Sequence, residues 1–289
     1  MKILILGISG LIGSSVFREL SKEKDLEAYG TIRNYRFKNF FELKYQKYIV
    51  SDFDILKSEI LENLYEKIKP DYIINCIGIT KHNPEIKNFN KTIKINSILP
   101  HKINLFLKNK KTRLIHISTD CVFSGKKGCY TEEDFRDAQD IYGKSKSIGE
   151  DLDGDSIILR TSTIGHELFY RGGLLEWFLK SNIECDGYKK AFFSGFPSIY
   201  IGKIIKNHII NRHLEGGIYN VSSERINKHN LLKVIKTIYN KKIKIIPNNK
   251  FKIDRSLDGT KFFKATGFLA DDWEKMIKKM YNNYREIHV

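Results

Sequence analysis

The chain has 289 residues, 41% hydrophobic and 12% aromatic, which is enough to bury a sizeable core and too apolar for a disordered segment. Its net charge of +16 invites a nucleic-acid reading. The lysines, however, are spread through segments such as KIIKNHIINRH and NKKIKIIPNNK, with no basic helix, zinc knuckle or RNP-like aromatic motif. No nucleic-acid partner is expected, and the positive field suits an anionic small molecule such as a nucleotide diphosphate.

No stretch reaches the roughly 18 uninterrupted apolar residues of a membrane span, and the opening MKILILG lacks the cleavage site of a signal peptide. Cys76, Cys121, Cys129 and Cys185 are scattered without CxxC spacing. That pattern fits free thiols in a reducing, cytoplasmic setting and no metal site. Cys76 and Cys185 also read as small buried hydrophobes.

In chain order, a five-residue apolar strand, Lys2 to Leu6, is followed by GISGLIG and a helical pattern through SSVFRELSKEK. A second strand is expected over 26–32, a short third over 48–50 and a helix over 55–68. DYIINCIG (71–78) is a continuous apolar run of the kind found inside a parallel sheet. A helix is expected from Phe89 to Leu107, bent or divided at Pro100. Strand 113–118, helix 141–152 and strand 156–162 follow. Such alternation predicts an α/β, doubly wound parallel sheet with right-handed crossovers.

After Ser162 the pattern loosens. A glycine cluster stands at 171–173, LLEWFLKS looks helical, and AFFSGFPSIY (191–200) reads as a strand and a turn. The expected division is a dinucleotide-binding domain over 1–162 and a smaller α/β substrate lobe over 163–289, with some late segments returning to the large sheet.

Gly7, Gly10 and Gly13 stand between the first strand and the first helix, the Rossmann-type position for a pyrophosphate on a helix N-terminus. The candidate cofactor contacts there are Gly7, Ser9, Gly10, Leu11, Ile12 and Gly13. The end of the second strand reads Thr-Ile-Arg33-Asn34-Tyr-Arg36, with no acid to hold a ribose 2′-hydroxyl. Arg33, with Asn34 and Arg36 beside it, suits the 2′-phosphate of NADPH. Tyr142-Gly-Lys-Ser-Lys146 opens a helix, and residues four apart share one helix face. A lysine there is expected to lower the phenol from its ordinary pKa of roughly 10 and make it a usable proton donor.

With Asn96 and Ser118-Thr119 in order between them, these motifs resemble the extended short-chain dehydrogenases/reductases. STDCVFSG (118–125), YGKSK, LRTS (159–162) and DRSLDGTKF (254–262) resemble the dTDP-4-dehydrorhamnose reductase family. The resemblance implies reduction of the 4-keto group of a UDP- or dTDP-linked 4-keto-6-deoxyhexose by NADPH. Tyr142 would protonate the oxygen, Lys146 would tune Tyr142 and hold the nicotinamide ribose, and Thr119 would bind the carbonyl beside Asp120. Asp52 and Phe53 would flank adenine; Cys76, Ile77, Gly78, Asn96 and Ser118 would line the cofactor. Thr161, Ser162 and Thr163 would sit near nicotinamide. Arg255 and His166 are implied substrate contacts, with an ion pair to Asp254 or Asp258 and a loop-stabilising role as their respective alternatives. A homodimer is also implied.

Cys121 stands where the reductase pattern carries tyrosine, and Lys189 and Lys190 occupy a segment (187–198) that departs from it. Both departures resemble the bifunctional rhamnose synthases, in which a thiol and a lysine epimerise C3 and C5 before reduction. A thiol of reference pKa roughly 8.5 is mostly protonated near neutrality and can donate, and a desolvated lysine can act as base. Either Lys189 or Lys190 is the expected base. The leading expectation is therefore a UDP-L-rhamnose-forming 3,5-epimerase/4-reductase. A single-step dTDP-4-dehydrorhamnose reductase is the nearest alternative, and a non-catalytic NADPH-binding regulatory subunit is one of another class.

Overall fold

The computed structural model describes residues 1–57, 59–169 and 172–288; Ser58, in the helix expected over 55–68, and Arg171, in the expected glycine cluster, lie outside them. In the first half the strands are β1 (Lys2–Leu6), β2 (Glu27–Thr31), β3 (Ile49–Val50), β4 (Tyr72–Asn75), β5 (Arg113–Ile117) and β6 (Ile157–Arg160). Then come β7 (Thr163–Ile164), β8 (Glu184–Phe193), β9 (Phe196–Pro197), β10 (Gly217–Asn220), β11 (Ile226–Asn227) and β12 (Lys244–Asp254).

Seven strands form one parallel sheet in the order β10-β6-β5-β4-β1-β2-β3. The order reverses at β1 and β4, so the crevice beyond their carboxyl ends is where an open α/β sheet takes its ligand. The strands are buried on both faces. Ile3 and Ile5 join the cluster that includes Phe17 and Leu20, while Leu4 and Leu6 join Leu61, Leu64, Leu99 and Ile103 on the other side. That two-sided burial is why they read as continuous apolar runs.

Helix Phe89–Ile93 continues through a π turn, Lys94–Ile98, into Leu99–Leu107. Pro100 has no N–H to give the Asn96 carbonyl, and the chain widens by one residue there instead of breaking. The π turn sets Asn96 at the crossing with the helix Ile141–Ile148.

β10 pairs with β6 as the seventh strand, and helix Ile199–Ile204 packs on helix Leu11–Leu20, so residues beyond 162 return to both the sheet and its helical layer. The small lobe is the sheet β11-β8-β12 with helix Lys228–Ile238 on one face. β8 begins at Glu184, well before the strand expected from AFFSGFPSIY, and pairs in parallel with β12. Among the described residues no helix is long and apolar enough to cross a membrane.

Candidate active site

The glycine turn leaves β1 with Gly7 at φ +83°, a left-handed conformation costly for other residues. A Cβ on Gly13 would lie 2.9 Å from the Gly7 carbonyl carbon, so helix Leu11–Leu20 approaches the turn closely only because that side chain is missing. At Gly10 the same test meets nothing nearer than the Gly7 oxygen at 3.6 Å, which leaves that backbone open to a ligand. Gly10 gives the helix no side-chain cap, and its first turn holds no acid, so free N–H groups face the crevice. Ser9, Leu11 and Ile12 are partly exposed along the same rim.

At the end of β2, Arg33 is 59% exposed, with Glu85 3.9 Å from its guanidinium. Asn34 and Arg36 are exposed beside it, and the Asn34 side chain accepts the Arg36 N–H at 3.0 Å. Asp52 is exposed in a left-handed conformation, φ +57°. Phe53, expected against adenine, is instead 3% exposed and packs in the core with Leu4 and Leu6. Ile77 and Cys76 follow β4, the Cys76 thiol pushed up to about 12 by burial, and Gly78 is exposed after them. Thr161 is 3% exposed and its hydroxyl finds no hydrogen-bond partner among the described residues, a group left for a ligand to satisfy. Ser162 and Thr163 continue that loop, the Ser162 carbonyl accepting the Phe196 N–H at 2.9 Å. These residues fit a dinucleotide.

Helix Ile141–Ile148 is capped by Asp140, whose carboxylate accepts the Gly143 N–H at 2.8 Å. Gly143 lets the helix press on the Cys121 carbonyl. This contact brings Tyr142 to Thr119 and Cys121. Burial raises the phenol, the Cys121 thiol and the Asp120 and Asp140 carboxylates push the same way, and the Thr119 hydroxyl opposes them. The Thr119 hydroxyl also accepts the Cys121 N–H at 3.1 Å and lies 3.1 Å from an Asp120 oxygen.

Lys146 shares a helix face with Tyr142, but its Nζ donates to the Ile117 carbonyl at 2.7 Å and lies 3.2 Å from His116 Nε2. Burial lowers it to about 8, partly offset by Glu150 and Cys76. The phenol is a protonated acid held high by its surroundings.

Ser118 and Asn96 serve the scaffold. The Ser118 hydroxyl donates to Glu150, which also takes the Arg160 guanidinium at 2.9 Å; both side chains of that pair are at most 1% exposed. Strand alternation explains this: Ser118 and Thr119 point to opposite sides, and only Thr119 faces Tyr142. Asn96, expected on the cofactor, is fully buried; its amide donates to the Ile79 carbonyl at 2.9 Å and Ser145 Oγ at 3.0 Å and accepts the Ile79 N–H at 2.8 Å.

Around Cys121 the structure assembles charges from distant elements. Arg255 donates to the Phe123 carbonyl at 2.8 Å, stands 3.6 Å from the Cys121 sulfur and lies 3.6 Å from Asp140. Its ion pair is thus with the cap of the Tyr142 helix, whereas Asp254 pairs with Arg225. Lys81 Nζ is 4.0 Å from the sulfur. Lys228, at the start of the small-lobe helix, feels Asp120, Lys81 and Cys121, and burial brings it down to about 8. Lys189 and Lys190 are both exposed on β8, and neither is among the charges acting on Cys121, which are Asp120, Lys81 and Arg255. His166 is committed elsewhere, with its ring nitrogens 3.2 Å from Glu176 and 2.9 Å from the Tyr239 hydroxyl and its ring on Tyr284. The sequence reading missed Lys81 and Lys228. Lys81 had a signal, since it follows the carboxyl end of β4, where this architecture gathers ligand contacts.

The sheet, the glycine turn and the Thr119–Tyr142–Lys146 arrangement define the extended short-chain dehydrogenase/reductase architecture. The chain belongs to the RmlD substrate binding domain family, whose profile matches residues 1–179. It is 29% identical over 171 residues to the spore coat polysaccharide biosynthesis protein SpsK of Bacillus subtilis, covering 57% of this chain and 54% of that one. The chain spans about half the length of the curated relatives it matches. Its fold matches a dTDP-4-dehydrorhamnose reductase of Clostridium acetobutylicum with TM-score 0.80, 20% identity and coverage of 99% and 100% of the two chains. A Bacillus anthracis dTDP-4-dehydrorhamnose reductase in complex with NADP gives 0.78, 22%, and coverage of 98% and 99%.

Proposed function

We propose that the chain is an NADPH-dependent nucleotide-sugar 4-keto reductase that works in a single step, as a dTDP-4-dehydrorhamnose reductase does. The observation that carries this is the placement of Tyr142 beside the Thr119 hydroxyl, in a crevice whose glycine turn is open to a dinucleotide. Gly10 and the helix start would receive the pyrophosphate, Arg33 the 2′-phosphate, and Thr161 the nicotinamide end. Bound NADPH supplies the hydride. Thr119 orients the carbonyl oxygen and Tyr142 delivers the proton to it. The family match and the curated relatives named as dTDP-4-dehydrorhamnose and dTDP-4-keto-6-deoxy-D-glucose reductases support this reading over the two-reaction one. A regulatory subunit would have no need of this hydroxyl–phenol pair. Incubating the full chain with NADPH and a UDP- or dTDP-linked 4-keto-6-deoxyhexose of rhamno configuration tests it: NADPH is consumed and the 4-hydroxy sugar appears.

One observation favours an added epimerase step. The Cys121 thiol, pushed up to about 11, holds its proton beside Tyr142, and burial brings Lys228 down to about 8, where a fraction of it is a neutral base. In that reading Lys228 rather than Lys189 or Lys190 removes the proton next to the ketone, and Cys121 returns one from the other face. Deuterium entering C3 or C5 in heavy water, lost in Cys121→Ala, supports it; no incorporation refutes it.

A further inference from the structure

At the carboxyl ends of β4 and β5, a chain of three buried side chains runs beneath the active site. Asn75 and His116 are fully buried and face each other across the strand pair; Lys146 is 4% exposed. Asn75 Oδ1 accepts the Ile77 N–H at 3.1 Å, which fixes the amide orientation, so Nδ2 is the atom 3.1 Å from His116 Nδ1. An amide nitrogen only donates, so His116 Nδ1 must accept. A neutral imidazole that accepts at Nδ1 carries its proton on Nε2. That Nε2–H points at Lys146 Nζ, 3.2 Å away. An ammonium has three donors and no acceptor, so two donors would face each other; a free amine has the lone pair this contact needs. Its own hydrogens remain for the Ile117 carbonyl and the crevice.

We propose that His116 is a positioning residue that favours the uncharged amine of Lys146 over its ammonium in the resting chain, the His116 proton being placed on Nε2 by Asn75. The other groups facing this chain fit the polarity. Burial above all, with His101 adding to it, keeps His116 well below its usual range and thus neutral. Glu150 and Cys76 favour the Lys146 cation but do not overcome its desolvation. The functional meaning rests on the proposed reductase activity: the anionic cofactor would offset this bias and complete the charging of Lys146 on binding.

Asn75→Asp tests the relay. A carboxylate keeps the acceptor for Ile77 N–H but replaces the donor to Nδ1 with a second acceptor. The His116 proton then moves to Nδ1, Nε2 becomes an acceptor, and Lys146 is held as the ammonium. Lysine-selective carbon-13 NMR of the ligand-free full chain, with Lys146→Met for assignment, reads the titration directly. The wild-type Lys146 midpoint is expected near 8, and in Asn75→Asp it should rise by about one unit or more. Should Asn75→Asp not fold, His116→Gln, whose amide can turn an oxygen toward Nζ, is expected to raise the midpoint likewise. A wild-type midpoint near the ordinary lysine value of roughly 10.4, or no rise in the folded variant, overturns the proposal. The titration uses no substrate, so failed turnover would remove the reductase reading and leave this result standing.

Discussion

Gly143→Ala sets two effects of opposite sign against each other. Inside a helix, alanine is favoured over glycine by about 0.8–1.0 kcal/mol. At this position, however, the new Cβ would lie 2.6 Å from Ala138 Cβ and closer still to the Cys121 carbonyl oxygen. Carbon atoms pack at roughly 3.5–4.0 Å, so the helix and the 119–123 loop must separate by roughly 1 Å. Overpacking of this kind costs about 1–3 kcal/mol, which outweighs the propensity gain. The displaced contact is also the one that sets Tyr142 against Thr119, and a shift of that size can cost about 10²-fold in rate. Purified Gly143→Ala should therefore show a kcat about 100-fold down with a nucleotide 4-keto sugar, together with a lower urea midpoint. The atoms the new Cβ meets belong to Cys121 and Ala138 and not to the glycine turn, so NADPH affinity should move by no more than about threefold, roughly 0.6 kcal/mol. Wild-type kcat in a stabilised Gly143→Ala would refute the steric argument.

Other perturbations probe separate parts of the site. Glu150→Ala leaves the buried Arg160 guanidinium without its carboxylate and should cost about 3–5 kcal/mol in urea unfolding, with Glu150→Leu/Arg160→Met recovering much of it. Arg33→Ala should weaken NADPH binding by about tenfold, roughly 1.4 kcal/mol, and leave NADH binding unchanged, as calorimetry can measure. NADPH affinity should also depend on pH. Lys146 titrates at about 8 in the free chain and is a cation only below that value. An anionic cofactor favours the cation and raises the value in the complex, so binding takes up a proton above pH 8. The Kd should then climb by up to tenfold per pH unit until the value for the complex is passed; a flat Kd from pH 7 to 10 would contradict this.

The sheet was legible because its strands are local, buried on both faces and therefore continuous apolar runs, as in DYIINCIG. The glycine turn was legible because Gly7 sits at φ +83° and Gly13 has no room for a Cβ, while Gly10 between them leaves the backbone open to a ligand. β8 was harder to read: Lys189 and Lys190 interrupt its pattern, and its partner β12 lies some 60 residues away. The Tyr142–Lys146 spacing located the helix face correctly but not the Lys146 Nζ, which donates to a β5 carbonyl. His116 reads as one more position in a core strand, and only the orientation of Asn75 gives it a role. Ser118 was paired with Thr119 in sequence, and the strand pleat separates them. The charges around Cys121 come from the β4 loop, the small-lobe helix and residue 255, and no local pattern joins them.

The most direct test of the central claim is turnover. With NADPH and a UDP- or dTDP-linked 4-keto-6-deoxyhexose of rhamno configuration, the full chain should oxidise one NADPH for each 4-hydroxy sugar formed. Tyr142→Phe should cut that rate by about 10²–10⁴-fold while the protein stays folded. No NADPH oxidation with either nucleotide, or an unimpaired Tyr142→Phe, would contradict the account.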